Sequence, residues 1–451
     1  MAKKDIITKI HKDLKYSNEK VSKLHKAIKD DFSFAQGNQW EDGDVQDLAK
    51  AGVKAITINK IKPIVKLLTG IERQSRSDFK AFPEGGEDEL TAEIVSRLMK
   101  NVAKNSRVEV KFSEVFKNGS IGGMCFLEPY MDYNFDLLNG DLKFKKISSA
   151  DVYLDPDFQE YDLSDSKFLI KITKDLSQDD LLALFPDDEK KVKKIQGGKL
   201  DITTLDSLTT LVETDDYPET LSGDPNPETF EAVYDLVDYY YKELKTKYYT
   251  IIQEKGIIKE FDTQAEAESL AEQTGGIVIS RKVPVIMLAQ VVGNTLFYDD
   301  VAPFYPKWKT YPIIPFFAEL ITEDMKDFSL KIQGIVRGIK DLNEEYNKRR
   351  TQELRHLNSS ANSGFVIEEG MLSSNEEAKL KKFGSSAGIV VKTKRGRGTE
   401  LGRITPMPLS QGHAQLAAEN AQDLKEASGV NPDLLANDSQ SQSGRAILFV
   451  A

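Results

Sequence analysis

Between residues 5 and 34, apolar side chains fall at Ile6, Ile10, Leu14, Val21, Leu24 and Ile28. These steps keep them on one face of a helix with 3.6 residues per turn. Gly37-Asn38 ends the pattern just before Gln39-Trp40. A second helix is predicted over 57–74, with Ile58, Ile61, Val65 and Leu68 on one side. Its Pro63 lies near the start, where the missing N–H does little harm. Leu90, Ile94, Leu98 and Val102 recur every fourth residue and predict an amphipathic helix over 87–105. Residues 109–121 also read as helix, ending at Gly122-Gly123.

The pattern changes after Gly123. CFLEPYMDY, LKFKKI, DVYLDP and KFLIKI are short, aromatic or β-branched, and separated by turn residues, as strands are. Helix returns over 175–195, with Asp175-Leu-Ser-Gln as its start. Residues 196–229 are rich in Gly, Thr, Asp and Pro and read as a loop. Strands resume over 231–259 and 277–299. A long proline-free helix is predicted over 329–358, where Ile335, Ile339, Leu342 and Tyr346 lie four, three and four apart. Such a narrow seam suits helix-on-helix packing. SSANSG then turns the chain into short strand candidates within 364–409, namely GFVIEE, AGIVVKT and GRITPMP. A last helix over 410–428 aligns Ala417, Ala421 and Leu424. The pattern gives an α+β fold, with helices first, a β-rich middle, and two helices bracketing a small α/β insertion.

That insertion is locally basic, with Lys379, Lys381, Lys382, Lys392, Lys394, Arg395, Arg397 and Arg403 close together. Such a run is a solvated face, a docking surface or an anion contact. The chain as a whole is acidic: 61 Lys and Arg against 72 Asp and Glu, a net charge of −11 over 451 residues. That balance argues against a protein that grips nucleic acid tightly. With one cysteine, Cys125, no intrachain disulfide forms, and its setting in MCFL predicts a buried structural thiol. The N-terminal stretch MAKKDIITKIHKDL lacks the apolar run of a signal peptide, and no apolar stretch reaches the length of a membrane span. These features predict cytoplasmic synthesis and no membrane partner.

Candidate chemistry is sparse. Gly197-Gly198-Lys199 is followed by leucine and is no phosphate loop; Gly396, Gly398 and Gly402 have the wrong spacing for a dinucleotide loop. His11, His25, His356 and His413 make no zinc pattern. Asp151, Asp155, Asp157 and Asp162 flank Pro156 between strand candidates, which favours a turn over a two-metal site. The expectation is a non-enzyme without metal or cofactor.

Several strings, in order, carry a resemblance: GNQW (37–40), TINKIKPIVKLLTGIERQSRSDFKAFP (57–83), VFKNGSIGGMCFLEPYMDY (115–133), DVYLDPDFQEYDLSDSKF (151–168), GIVRGIKDLNEEYNKRRTQELRHLNSSANSGF (334–365), SGVNPDLLA (428–436) and SGRAI (443–447). The chain resembles the portal, or head-to-tail connector, proteins of tailed bacteriophages, in particular the long-portal type of Salmonella-infecting short-tailed phages. The resemblance implies a dodecameric ring at one capsid vertex that docks terminase and a tail adaptor, meets capsid and scaffolding proteins, and passes double-stranded DNA without sequence specificity. It also implies a layout: wing over 1–328, first stem helix over 329–360, clip over 361–409, second stem helix over 410–428, and the start of a tunnel-loop and crown region over 429–451. The closing LFVA departs from the family pattern, so the crown is expected to be truncated or absent.

Within that layout, Ile335, Ile339, Leu342, Tyr346, Arg349, Arg350 and Glu353 are expected at the stem and subunit interface. Lys392, Lys394, Arg395 and Arg397 are expected on the clip docking surface. Lys340, Lys348 and Arg355, with Lys331 on the same helix, either face the DNA in the channel or pair with Glu344, Glu345 and Glu353, between neighbouring subunits or along the helix, and pairing is the favoured reading. A DNA-acting metal-dependent hydrolase and a non-ring adaptor are the rival readings.

Overall fold

A computed structural model describes residues 3–76, 80–83, 89–133, 138, 140–195, 234–252, 257–302, 310–323, 327–361, 365–367, 371–383, 390–393, 402–403 and 411–429. The chain divides into two compact units: Met1–Asp30 with Glu72–Gly334, and Asp31–Ile71 with Ile335–Ala451. The fold is α+β. The segment expected as wing, 1–328, therefore contributes residues 31–71 to the second unit.

Helices come first: α1 (Lys3–Gln36), α2 (Asp42–Lys50), α3 (Ile61–Gln74), α4 (Glu89–Ser106) and α5 (Val108–Gly122). The first unit then adds β1 (Met124–Asp132), β2 (Asp141–Ile147), β3 (Val152–Leu154), β4 (Phe168–Leu176), α6 (Gln178–Leu184), α7 (Glu189–Val192), β5 (Tyr234–Ile252), β6 (Ile257–Phe261), α8 (Gln264–Thr274), β7 (Ile277–Val292), β8 (Thr295–Val301), β9 (Ile314–Phe317), β10 (Glu319–Leu320) and β11 (Ile332–Gln333). An antiparallel sheet runs in the order β3-β4-β5-β7-β8, with β6 beside the far half of β5. A smaller sheet has the order β2-β1-β9.

The core of the first unit follows from strand alternation. Phe168, Ile170 and Ile172 of β4, Val237, Tyr239 and Tyr241 of β5, and Met287, Ala289 and Val291 of β7 share one sheet face, which Ile6, Ile10 and Leu14 of α1 cover. The predicted face of α1 is thus the buried one. On the opposite face Lys171 stands beside Asp238 across the β4–β5 ladder. Its ammonium lies 2.7 Å from Asp238 and 2.8 Å from Glu128 of β1, with Lys171 only 5% exposed. The two carboxylates raise the Lys171 pKa against the opposing effect of burial.

Gly334 closes the unit. A Cβ there would lie 2.3 Å from the Ile121 carbonyl oxygen and 2.7 Å from the Gly123 nitrogen, so two backbones meet where only glycine fits.

The second unit contains α9 (Ile335–Ala361), β12 (Phe365–Val366), α10 (Ser374–Phe383), β13 (Gly402–Arg403) and α11 (Gln411–Ala427). Helices α9 and α11 pack together, and Ala417 and Leu424 of α11 are buried as their alignment predicts. Between them, β12 pairs antiparallel with β13, Phe365 opposite Arg403, and α10 completes a small α/β insertion.

Several boundaries differ from the sequence reading. α2, α8 and α10 are additional helices. The helix predicted from 175 begins at Gln178, because Ser177 and Asp180 form a reciprocal capping box. The helix predicted from 329 begins at Ile335, because Phe328–Leu330 form a 3-10 turn and β11 pairs with β10. Residues 57–60 precede the helix, which begins at Ile61, and have no regular secondary structure. Residues 390–393, from the strand candidate AGIVVKT, have no regular structure. The predicted loop over 196–229 and the tail from 430 lie outside the described residues.

Candidate functional site

The helix pair and its insertion are the candidate site. α9 buries Val336, Ile339, Asn343, Asn347 and Thr351, a stripe that begins apolar and turns polar. Residues 53–60, before α3, have no regular secondary structure and bond to α9 through alternate N–H groups. Lys60 N–H donates to Asn343 Oδ1 at 3.0 Å, Ile58 N–H to Asn347 Oδ1 at 2.9 Å, and Ile56 N–H to Thr351 Oγ1 at 3.2 Å. The periods match. Four helical residues advance about 6 Å, and two extended residues advance about 6.6 Å.

Gln39, also buried, completes the network. Its Oε1 accepts from Asn343 Nδ2 at 2.6 Å and from Asn347 Nδ2 at 2.9 Å, while its Nε2 donates to the Phe34 carbonyl at 3.2 Å. Buried amides are tolerable when satisfied in this way. The sequence reading missed these residues because it followed apolar positions. Asn, Asn and Thr at successive steps of four, inside a helix that such residues disfavour, were the available signal.

The expected seam falls differently from the buried stripe. Ile339 is buried within the subunit; Ile335, Leu342 and Tyr346 are half-buried and keep surface for a further partner. Lys60 stands over the Tyr346 ring, 5.1 Å from its centroid. Lys340 is half-buried over Phe34, and Arg355 is exposed. Lys348 bridges Asp44 of α2 and Glu344, both at 2.8 Å, and the first of these hydrogen bonds is the largest cause of its raised pKa. Arg349 pairs with Glu345 and Arg350 with Glu353 along the helix. Within the subunit Lys348 thus holds one intrahelical pair and one pair to α2. Arg337 locks the helix start to Asp31 at 2.8 Å, with that carboxylate almost wholly buried.

Lys331 falls outside the helix on which its spacing places it. It precedes α9, since the helix begins only at Ile335, and belongs to the first unit. Its buried ammonium donates to the Phe158 carbonyl and sits 4.4 Å from the centroid of that ring. It does not share the polar side of α9.

In the insertion, Lys392 is exposed, and its N–H donates to Glu376 at 3.4 Å. Lys394, Arg395 and Arg397 lie outside the described residues.

The acids near Pro156 build a turn, as predicted. Asp155 accepts the N–H groups of Asp157 and Lys167, and Asp162 accepts that of Ser164. Asp157 accepts from Lys167 and from the Tyr16 hydroxyl, and these bonds, led by the one from Lys167, hold its pKa below the usual carboxylate range. A carboxylate held ionised by a neighbouring cation is poorly placed to donate a proton. Cys125 is buried against Val115 and Leu127, and burial pushes its thiol up to about 11. Such a thiol is unreactive at neutral pH. Among the described residues, no group of His, Cys, Asp and Glu is placed to hold a metal ion, and no helix is long and apolar enough to cross a membrane.

A search of curated proteins finds no match to this chain. The family model of the phage P22-like portal protein matches residues 11–450. With the match running through both compact units and through the helix pair and its insertion, the chain belongs to the phage P22-like portal protein family, structural proteins that form a homo-oligomeric channel at a capsid vertex in company with capsid and terminase proteins.

Proposed function

We propose that the chain assembles as a ring of twelve copies, of the long-portal type found in Salmonella-infecting short-tailed phages, through which double-stranded DNA enters and leaves the capsid. The observation that carries this reading is the family match over residues 11–450, joined to a helix pair that brackets a small insertion. In this reading α9 and α11 are the stem, 361–409 the clip and 1–328 the wing, with the crown region beginning at 429. The half-buried Ile335, Leu342 and Tyr346 supply apolar surface for the neighbouring stem, and the helical ion pairs of Arg349, Arg350 and Glu353 stiffen it. Lys340, Lys348 and Arg355 are the cations that face the channel in this reading, Lys348 while bridging Asp44 and Glu344.

The net charge of −11 fits this role. Each strong phosphate contact adds to affinity, and DNA held firmly would not slide. The basic clip positions Lys392, Lys394, Arg395 and Arg397 are the docking surface for terminase and then for the tail adaptor. The wing meets capsid and scaffolding proteins. The chain is made in the host cytoplasm before it enters the capsid.

Rotational averaging of particle images along the ring axis tests the copy number. Twelvefold symmetry is the expected result, and any other symmetry overturns it. Charge reversal at Lys392, Lys394, Arg395 and Arg397 is expected to weaken terminase capture at least tenfold while the ring persists. Dispersal of the ring would refute this division of labour.

A further inference from the structure

Helix α4 is amphipathic, yet it displays its apolar stripe. Ala92 is its buried residue, and Ser96, which receives the Ala81 N–H at 2.9 Å, faces its own chain. Leu90, Ile94 and Leu98 point away. A second apolar surface lies on the far end of the β6-β5-β7 region, where Ile258, Ile251 and Ile277 stand abreast and Ile279 follows. Leu90, Ile94, Leu98, Ile258, Ile277 and Ile279 are 46% to 69% exposed. Exposed apolar groups in this number, gathered into two patches, mark interaction surfaces.

The isoleucine face has a clear counterpart on the other side of the same strands. There α8 lies across the sheet, burying Ala267, whose carbonyl accepts the Thr250 hydroxyl at 2.9 Å. A helix therefore already fits one face of this three-stranded end, and the opposite face offers the same width. Three strands span about 9.6 Å. The stripe from Leu90 to Leu98 spans about 12 Å of helix.

The charges next to the two patches also agree. Arg281 of β7 and Lys247 and Lys245 of β5 share the isoleucine face, one row, one row and two rows beyond Ile279 and Tyr249 by residue alternation, with Glu260 of β6 bound to Lys247, while Glu89 and Glu93, the latter bound to Arg97, flank the start of the α4 stripe. A closed ring of identical subunits requires a heterologous interface, in which two different patches on each copy are complementary. A convex helix stripe and a flat sheet face on the same unit meet that requirement.

We propose that α4 of one subunit packs on the isoleucine face of β6-β5-β7 in a second copy, forming a ring contact separate from the stem. The proposal rests on the reading that the chain forms a ring. Paired cysteines test it: Ile94→Cys or Leu98→Cys combined with Ile258→Cys or Ile277→Cys in the full chain, oxidised after assembly and run on a denaturing non-reducing gel. The expected result is a ladder of covalent oligomers from at least one pair, with none from the single variants. Particle mass is measured on the same samples. An intact ring without a ladder overturns this contact and leaves the ring standing. Closure within one chain, seen as a faster monomer band, overturns it too, as does a dimer from Ile94→Cys alone. Failure of the unsubstituted chain to form a ring overturns both readings. Independently, Ile277→Asp is expected to reduce the ring fraction at least tenfold without altering the far-ultraviolet circular dichroism spectrum; an undiminished ring fraction contradicts the contact.

Discussion

Asn347 Oδ1 accepts the Ile58 N–H at 2.9 Å, and Asn347 Nδ2 donates to Gln39 Oε1 at the same distance. One side chain thus serves the segment before α3 and a buried glutamine, and it is itself fully buried. Leaving a buried backbone N–H without its acceptor costs about 1–3 kcal/mol. Asn347→Ala is expected to lower unfolding stability by about 2–3 kcal/mol, with Thr351→Val, at the end of the ladder, nearer 1 kcal/mol. Urea midpoints at one fixed protein concentration measure both. Equal effects at the two positions would contradict a ladder whose weight lies at its centre.

The Lys171 triad should respond asymmetrically. Lys171→Met leaves Glu128 and Asp238 facing each other without their shared cation, and loss of one partner from a buried ion pair costs about 3–5 kcal/mol. Replacing all three by apolar residues of similar volume should recover most of that loss. Urea denaturation of the single and triple variants checks this, and a triple variant as unstable as Lys171→Met would refute it.

Histidine 25 gives the first unit a pH dependence. Its ring stands edge-on to Tyr153, 5.0 Å between centroids, and burial lowers its pKa to about 4 from 6.5. The unfolded chain then binds the extra proton between these values, so stability is full above pH 6.5, falls as pH drops towards 4, and is flat below. Between pH 7.5 and 5 the loss is about 2 kcal/mol. His25→Phe should remove that part of the slope in urea titrations at the two pH values; an unchanged slope would assign it to other groups.

Gly334→Ala places a methyl group against the Ile121 carbonyl and the Gly123 nitrogen, both backbone atoms with no rotamer to yield. Overpacking of this kind costs about 1–3 kcal/mol. A drop in melting temperature is expected for Gly334→Ala but not for Gly338→Ala, whose added Cβ meets nothing within 4 Å.

The fold was most legible where one face of an element is apolar and covered. The six apolar positions read on α1 are all buried, and the strand segments from CFLEPYMDY to KFLIKI fall on β1 to β4. It was least legible where polar groups do the packing. The Asn343, Asn347 and Thr351 stripe carries no hydrophobic signal, and residues 57–60 contain a helical spacing that side-chain acceptors on α9 override. On α4 the periodicity was plain, but it predicts a face, and cannot say whether the covering surface belongs to the same subunit. The ion pairs of α9 follow from spacing, because residues three and four apart are neighbours on a helix. The link between Lys348 and Asp44 does not, since it joins residues about three hundred positions apart.

The most direct test of the account is the mass of the purified full-length particle in solution. A single assembly of about twelve times the 50.6 kDa subunit, with an axial hole in electron micrographs, is the expected result. A monodisperse monomer at micromolar concentration, across salt conditions, would contradict it.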